Sequence, residues 1–212
     1  MMSRWGPAVT WLAVFALYLF TACPTVYVGD AGELIAGAYS LGGGHAPGYP
    51  VFAVFGKFIS VILPLANIGF RVNLSTALAA ATAATLIGWL LRQVWQGHQG
   101  WPWLLAMGFG VSKTFWSQST QAEVYALHMM FVVVVLGLAW KGWQRDPWKV
   151  LWMGSLVLGI GLAHHHTLIL MGGVWAALLV FALRPQTTHV RIGAFMAVGS
   201  LVGLGLCFYF FL

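Results

Sequence analysis

Read from its N-terminus, the chain alternates long apolar runs with short polar punctuation. A helix crossing the hydrocarbon core of a bilayer needs about 20 apolar residues, and seven runs come near that length: 6–23, 73–91, 101–117, 124–140, 150–163, 167–183 and 192–212. The run at 150–163 is short, but Trp148 and Trp152 suit its interfacial end. Trp5, Trp101, Trp103, Trp116, Trp140 and Trp143 mark other boundaries, where indole rings favour the headgroup level. One further stretch, VFAVFGKFISVILPL at 51–65, carries Lys57 at its centre and closes on Pro64. Its apolar residues Val51, Phe52, Phe55, Phe58, Ile59 and Ile62 recur at helical spacing. A helix lying in the interface accommodates Lys57 better than a spanning one does. The pattern therefore predicts an all-α integral membrane protein: one module over 1–212, with about seven transmembrane helices and two juxtamembrane helices in an outer loop at 24–72. No low-complexity tract or internal repeat interrupts it.

Charge placement orients the spans. With 51–65 not spanning and the N-terminus cytoplasmic, Arg4, Arg92, Lys141, Arg145, Lys149, Arg184 and Arg191 lie inside, and Lys57, Arg71 and Lys113 lie outside. A spanning 51–65 places the basic loops 141–149 and 184–191 outside, against the positive-inside rule, or else strands Arg4 there. The N-terminal run, with one Arg and small residues, reads as a retained helix, a signal peptide being the rival. The expected location is a multi-pass position in a bacterial inner membrane or an ER-like membrane.

Composition agrees. Only 7% of residues are charged and 60% are hydrophobic, against about 25% charged in soluble domains, which excludes a soluble fold. The net charge of +6 is then a topology signal, and no nucleic-acid partner is expected. Cys23 and Cys207 have no metal-ligand spacing and read as free thiols.

In this topology Asp30, Glu33, His45, Glu123 and His164–His166 all reach the non-cytoplasmic face. Asp146, the fourth acid, stays inside as a solvated loop charge beside Lys141, Arg145 and Lys149. Each outer motif has a structural and a functional reading. In GDAGE (29–33), Asp30 and Glu33 fit a helix N-cap and its N3 partner, followed by an apolar face of Ala31, Leu34, Ile35, Ala38 and Leu41. Ionised groups near hydrocarbon are costly and usually functional, so Asp30 is equally a candidate for catalysis or ion binding. HAPGYP (45–50) is a rigid turn that either redirects the chain or lines a site with His45 and Tyr49. In QAEVYAL (121–127), Glu123 and Tyr125 sit at the outer start of a helix. There Glu123 either pairs with Lys113 and the helix dipole or faces Asp30 across a cavity. In AHHHTL (163–168), three imidazoles crowd a helix end. Successive helical side chains diverge by about 100°, so all three cannot ligate one metal from a regular helix, while one or two can meet a phosphate or a metal. There is no HExxH or CxxC, and a metal ligand set stays unknown.

Taken in order, these blocks resemble the start of GT-C superfamily glycosyltransferases, membrane enzymes that use polyprenyl-phosphate sugars. Within them the chain is most similar to the protein O-mannosyltransferase family of transmembrane protein 260 and its bacterial relatives. The family's GDSGE, HPPGYP, WSQ…AEVYAL and GL…HH blocks appear as Gly29–Glu33, His45–Pro50, Trp116–Leu127 and Gly161–His166, and FRVNLSTALAAATAATLIGWLL lies between them. Ala46 replaces the first proline of the turn. The chain stops at Leu212, within the seventh run, where family members continue with more spans and a soluble portion. It is therefore expected to be the N-terminal membrane module.

The resemblance implies sugar transfer from a polyprenyl-phosphate donor to a hydroxyl of a protein or glycan acceptor on the non-cytoplasmic face, with inversion at the anomeric centre. It places the catalytic carboxylate at Asp30, with Glu33 as companion and Glu123 as a second-loop acid that orients the base, the acceptor or a divalent ion. Arg71, Lys113 and His164, His165 and His166 are the candidates for the leaving phosphate, and no cofactor beyond a possible divalent metal is expected. The alternative is a non-catalytic, degenerate subunit packed with other membrane-protein subunits. The small-residue face Ala77–Ala84 suits that reading. A transporter ranks last, since nothing charged lies mid-span.

Overall fold

The computed structural model describes residues 2–45, 48–144 and 147–182. Ala46, Pro47, Arg145, Asp146, Arg184, Arg191, Cys207 and the whole apolar run expected at 192–212 lie outside them. The described residues are helical, with no strand among them. They fall into two compact units, residues 1–44 with 52–130 and residues 45–51 with 131–212.

The first unit is built around α4 (Ile68–Val94), which contacts α1 (Met2–Thr21), α2 (Ala31–Ser40), α5 (Trp101–Gly110) and α6 (Lys113–Ser119). Its sequence explains the central position. Ala77, Ala79, Ala80, Ala81, Ala83 and Ala84 are buried on several sides of the helix, and a side chain of one carbon lets neighbouring backbones approach closely. Asn67 caps α4, its Oδ1 accepting the Phe70 N–H at 3.0 Å. Along α1, Thr10, Val14 and Tyr18 recur every fourth residue and are buried, while Trp5, Val9, Leu12, Leu19 and Phe20 face outward. This is a one-sided helix whose outward face is as apolar as its inward one.

Three contacts fix the register. Trp103 is only 1% exposed, wedged where both Gly6 of α1 and Gly88 of α4 lack a side chain; a Cβ at Gly88 would lie 2.7 Å from the Trp103 ring. Midway, the Trp11 indole N–H donates to Thr82 Oγ1 at 3.1 Å. At the opposite end the Tyr18 hydroxyl donates to the Gly110 carbonyl at 2.7 Å. Helices α1 and α5 therefore run side by side in one direction, with α4 antiparallel to both.

The run expected as one span at 101–117 is two helices, α5 and α6, broken at Val111–Ser112. Gly108 and Gly110 weaken the helix there, and the Gly110 carbonyl bonds Tyr18 instead of extending the ladder. Hydropathy cannot register such a break, because both halves are apolar. A helix is present where the interfacial one is expected, as α3 (Pro50–Ile62), ending just before Pro64, as a proline dictates. The bare Gly56 lets α3 close on Ala38 of α2 and Val72 of α4.

Helix α7 (Tyr125–Gln144) begins in the first unit and ends in the second. The second unit continues with α8 (Pro147–His164), a 3₁₀ turn at His166–Leu168 and α9 (Ile169–Ala182). Trp175 of α9 packs against Gly154 of α8, its N–H donating to Ser155 Oγ at 3.2 Å. Val135 of α7 completes that core. Among the described residues, Ile68–Val94 and Tyr125–Gly142 are long and apolar enough to cross a membrane; Pro50–Ile62, Trp152–His164 and His166–Trp175 are shorter apolar helices.

Candidate functional site

The acidic loop is a continuation of α1. Gly29 adopts φ +81°, a left-handed turn that glycine enters without strain, and Asp30 then starts α2 with its carbonyl accepting the Leu34 N–H at 2.9 Å. Asp30 occupies the N-cap position and Glu33 the N3 position, but the expected capping box does not form. The Asp30 backbone is already helical (φ −76°, ψ −8°) and its side chain makes no capping bond. A capping side chain needs an extended backbone to fold back over the first N–H groups. The carboxylate of Asp30 is therefore exposed and unused by its own helix. The buried face of α2 is Ala31, Leu34, Ile35 and Ala38, as the pattern predicts. Leu41 instead ends the helix in a left-handed conformation (φ 55°) and is exposed. Glu33 leans over the returning chain, where a Cβ at Gly44 would lie 3.0 Å from its Oε1.

The other outer-loop candidates of the first unit gather at the same end as Asp30. Asn73 near the start of α4 reaches Cys23, seven residues before Asp30. Trp116 of α6 donates its indole N–H to Thr21 Oγ1 at 2.9 Å, and the Cys23 N–H donates to the Thr120 carbonyl at 2.7 Å. The Glu123 N–H meets Thr76 Oγ1 at 3.5 Å. Three of the four acids thus share one end of one bundle. Between α5 and α6, exposed Lys113 lines an open groove of about 360 Å³ with Val111, Trp116, Ser117 and Thr120. Glu123 is half-buried just ahead of α7, and Tyr125, the first residue of that helix, is exposed.

Two of the expected cations serve structure. The Arg71 guanidinium donates to three backbone carbonyls, Leu65 at 2.8 Å, Ala66 at 3.0 Å and Ser60 at 3.3 Å. It thereby clamps the turn from α3 into α4, so most of its donors are committed. The Lys57 ammonium bonds the Tyr39 carbonyl and lies 4.7 Å over that residue's ring.

In the second unit, His45, Tyr49 and the histidine run form an aromatic column. Tyr49 meets His45 edge-on with ring centres 5.4 Å apart, stacks on His165 at 5.7 Å and lies 6.5 Å from His164. His165 stacks on His166 at 5.0 Å. Tyr49 holds φ at 45°, a left-handed conformation rare for a bulky residue and common where function requires strain. His165 Nδ1 lies 3.3 Å from the Thr167 N–H and 2.7 Å from the Thr167 hydroxyl. Partial burial, and secondarily the neighbouring His166, hold the His165 pKa below its ordinary value. Among the described residues no three His, Cys, Asp or Glu side chains converge to hold a metal ion.

Sequence reasoning missed the polar framework around the loop. Asn67, Asn73, Thr76, Trp116 and Thr120 all tie the chain that carries Asp30. The available signal was Asn73 itself, a lone amide at the head of an alanine-rich apolar run, where a polar group is costly unless used.

The comparisons with known proteins agree with the motif blocks. Residues 30–189 match the model of the "Protein O-mannosyl-transferase TMEM260 N-terminal domain", beginning at the acidic residue described above. The protein O-mannosyl-transferase TMEM260 of Mus musculus is 31% identical over 170 residues, covering 78% of this chain and 24% of the relative. That of Dictyostelium discoideum is 28% identical over 204 residues, covering 89% of this chain and 25% of the relative. The chain thus spans about a quarter of the length of these curated relatives. No solved structure matches it. With three-quarters of its residues under one family model, this chain belongs to the family of the TMEM260 protein O-mannosyl-transferase N-terminal domain.

Proposed function

We propose that this chain is the membrane-embedded catalytic module of a GT-C-type glycosyltransferase, moving mannose from a polyprenyl-phosphate donor to an acceptor hydroxyl on the non-cytoplasmic face. The observation that carries the reading is the exposed Asp30 carboxylate, left unused by its own helix at the end of the bundle that also bears Glu33, Glu123 and the Lys113 groove. The activity named for the relatives, protein O-mannosyl transfer, supports the reaction class.

A hydroxyl is a poor nucleophile, so a carboxylate must take its proton as it attacks the anomeric carbon. Asp30 is the base. Glu33 and Glu123 orient the base or the acceptor. The bond from the anomeric carbon to the lipid phosphate breaks as the new glycosidic bond forms, and the departing phosphate needs positive charge or N–H donors. Lys113 supplies the charge, while Arg71, committed to the backbone, is withdrawn to a structural role. In the second unit, His164, His165 and His166, with His45 and Tyr49, keep the donor-binding role expected of them. Among the described residues no group of three His, Cys, Asp or Glu side chains could hold a metal ion by itself.

In the matching topology α1, α4, α7, α8 and α9 cross the membrane, and the α5–α6 pair makes a broken crossing. Helices α2 and α3 lie in the outer interface. A non-catalytic subunit is the competing reading; it expects Asp30 to be spent on local partners, and the exposed, non-capping carboxylate weighs against it.

The deciding experiment assays transfer from polyprenyl-phosphate mannose to a serine- and threonine-bearing acceptor by the full chain in membrane vesicles. Asp30→Asn is expected to lower turnover by about 10²–10⁴, the range of a positioned general base. Unchanged turnover would remove Asp30 from the role.

A further inference from the structure

Asp30 sits on a segment with no helix of its own, residues 22–30, yet that segment is held at successive peptide groups. Asn73 of α4 is 0% exposed, and its Nδ2 donates at 2.8 Å to the carbonyl of Cys23 and at 2.8 Å to that of Thr25. Asn67, one and a half turns earlier, donates its Nδ2 to the carbonyl between them, Pro24, at 2.8 Å. Two side-chain amides on one helix thus grip three consecutive carbonyls. Gly69 lies between the two asparagines, and the strap rests directly on it: a Cβ there would lie 3.0 Å from the Thr25 carbonyl carbon and 3.2 Å from the Val26 nitrogen. The N–H of Cys23 is fixed from the other side by Thr120.

The energetics of Asn73 indicate that it is not present for packing. Both bonds go to carbonyls, so its orientation is settled: NH₂ toward the strap, Oδ1 away. That Oδ1 is buried and has no hydrogen-bond partner. A buried acceptor without a partner is destabilising, and a core chosen only for stability would fill the position with an apolar residue. The side chain keeps its two donors despite the stranded acceptor.

We infer that Asn67, Gly69 and Asn73 form a bracket at the head of α4 that positions the acidic loop, with Asn73 its principal positioning residue. The bracket acts at Cys23–Val26, one short turn upstream of Gly29 and Asp30. It ties the loop to the most deeply packed helix of the unit rather than to another loop. The inference rests on the proposed role of Asp30 only for its consequence in catalysis; the bracket itself is tested without any assay of transfer.

The test compares amide hydrogen exchange of the full chain, in nanodiscs, for the wild type, Asn73→Leu and Gly69→Ala. Asn73→Leu removes both donors at similar volume. Gly69→Ala keeps them and presses a methyl group against the strap, while favouring the helix itself. In both variants exchange over 22–30 is expected to accelerate by about tenfold or more, as a held segment becomes a locally opening one, with α1 (10–18) and α4 (77–84) unchanged. Exchange over 22–30 that stays at the wild-type rate in both variants overturns the bracket. So does acceleration spread equally over α1 and α4, which makes Asn73 an ordinary core residue. Where transfer is measurable, Asn73→Leu is expected to lower kcat while leaving KM for the lipid donor unchanged. A wild type without transfer would sink the catalytic reading and leave the exchange result standing.

Discussion

Replacing Arg71 separates a structural cation from a substrate-binding one. Its guanidinium spans three carbonyls, two in the α3–α4 turn and one near the end of α3, at 2.8, 3.0 and 3.3 Å. Ala66 within that turn holds φ at 50°, so the clamp restrains a backbone that would otherwise relax. A hydrogen bond from a charged group contributes about 1.5–3 kcal/mol when well buried. This side chain is half-exposed, and solvent screening reduces the sum for Arg71→Ala to about 2 kcal/mol. Arg71→Lys keeps the charge but loses the fork, since one ammonium cannot reach three divergent carbonyls; about half the effect is expected there. For a chain of 212 residues, Arg71→Ala should melt about 4–8 °C lower. The assay is a thermal melt of the full chain in detergent, with limited proteolysis reading cleavage at 63–67. Donor KM should hold at its wild-type value. Unchanged melting with a raised donor KM in both variants would refute the clamp and restore Arg71 as a phosphate ligand.

Two further predictions use the second unit. Gly154→Ala drives a methyl group into the Trp175 ring and is expected to destabilise by about 1–3 kcal/mol; Gly172→Ala, with nothing near its Cβ, should raise stability by a few tenths to about 1 kcal/mol. A melt of each checks the pair. His165 has its pKa lowered, first by burial and then by His166, so the folded state binds its proton less readily than the unfolded one. Its contribution to stability is complete above the ordinary value of 6.5 and declines as pH falls below it. His164, His166, His45 and Tyr49 surround it, so the comparison is between wild type and His165→Asn. The variant is expected to lose less melting temperature between about pH 7.5 and 5.5; equal loss would show that His165 is not the responsive group.

Much of the helical plan was legible because it follows from local chemistry. The buried stripe of α2, the stop of α3 at Pro64 and the extent of α7 are set by spacing and by proline. The break in 101–117 was not legible, because hydropathy sums side chains and the interruption is a backbone event, made where Tyr18 takes the Gly110 carbonyl. The capping reading of Asp30 failed for a related reason: the residue types were right, but the φ and ψ that precede a helix depend on how the incoming strap is held. That strap is held by Asn67 and Asn73, whose partners lie 43 and 50 residues away. The backbone clamp made by Arg71 was not legible because an outward cation next to acids invites a ligand, whereas the carbonyls it holds lie within eleven residues. That Asp30, Glu33 and Glu123 come to one end of the first unit was readable; what each side chain is tied to was not.

The pairing of Trp11 with Thr82 also bears on how the molecule is made. The two partners are 71 residues apart, and a ribosome delivers them in that order, so in the proposed topology the first helix enters the bilayer with its indole N–H and its buried Thr10 hydroxyl facing no protein. Nascent α1 must wait, shielded by the insertion machinery, until the fourth helix arrives. A translation stall engineered after residue 60 should leave the first helix crosslinked to that machinery, and one placed well beyond residue 94 should release it.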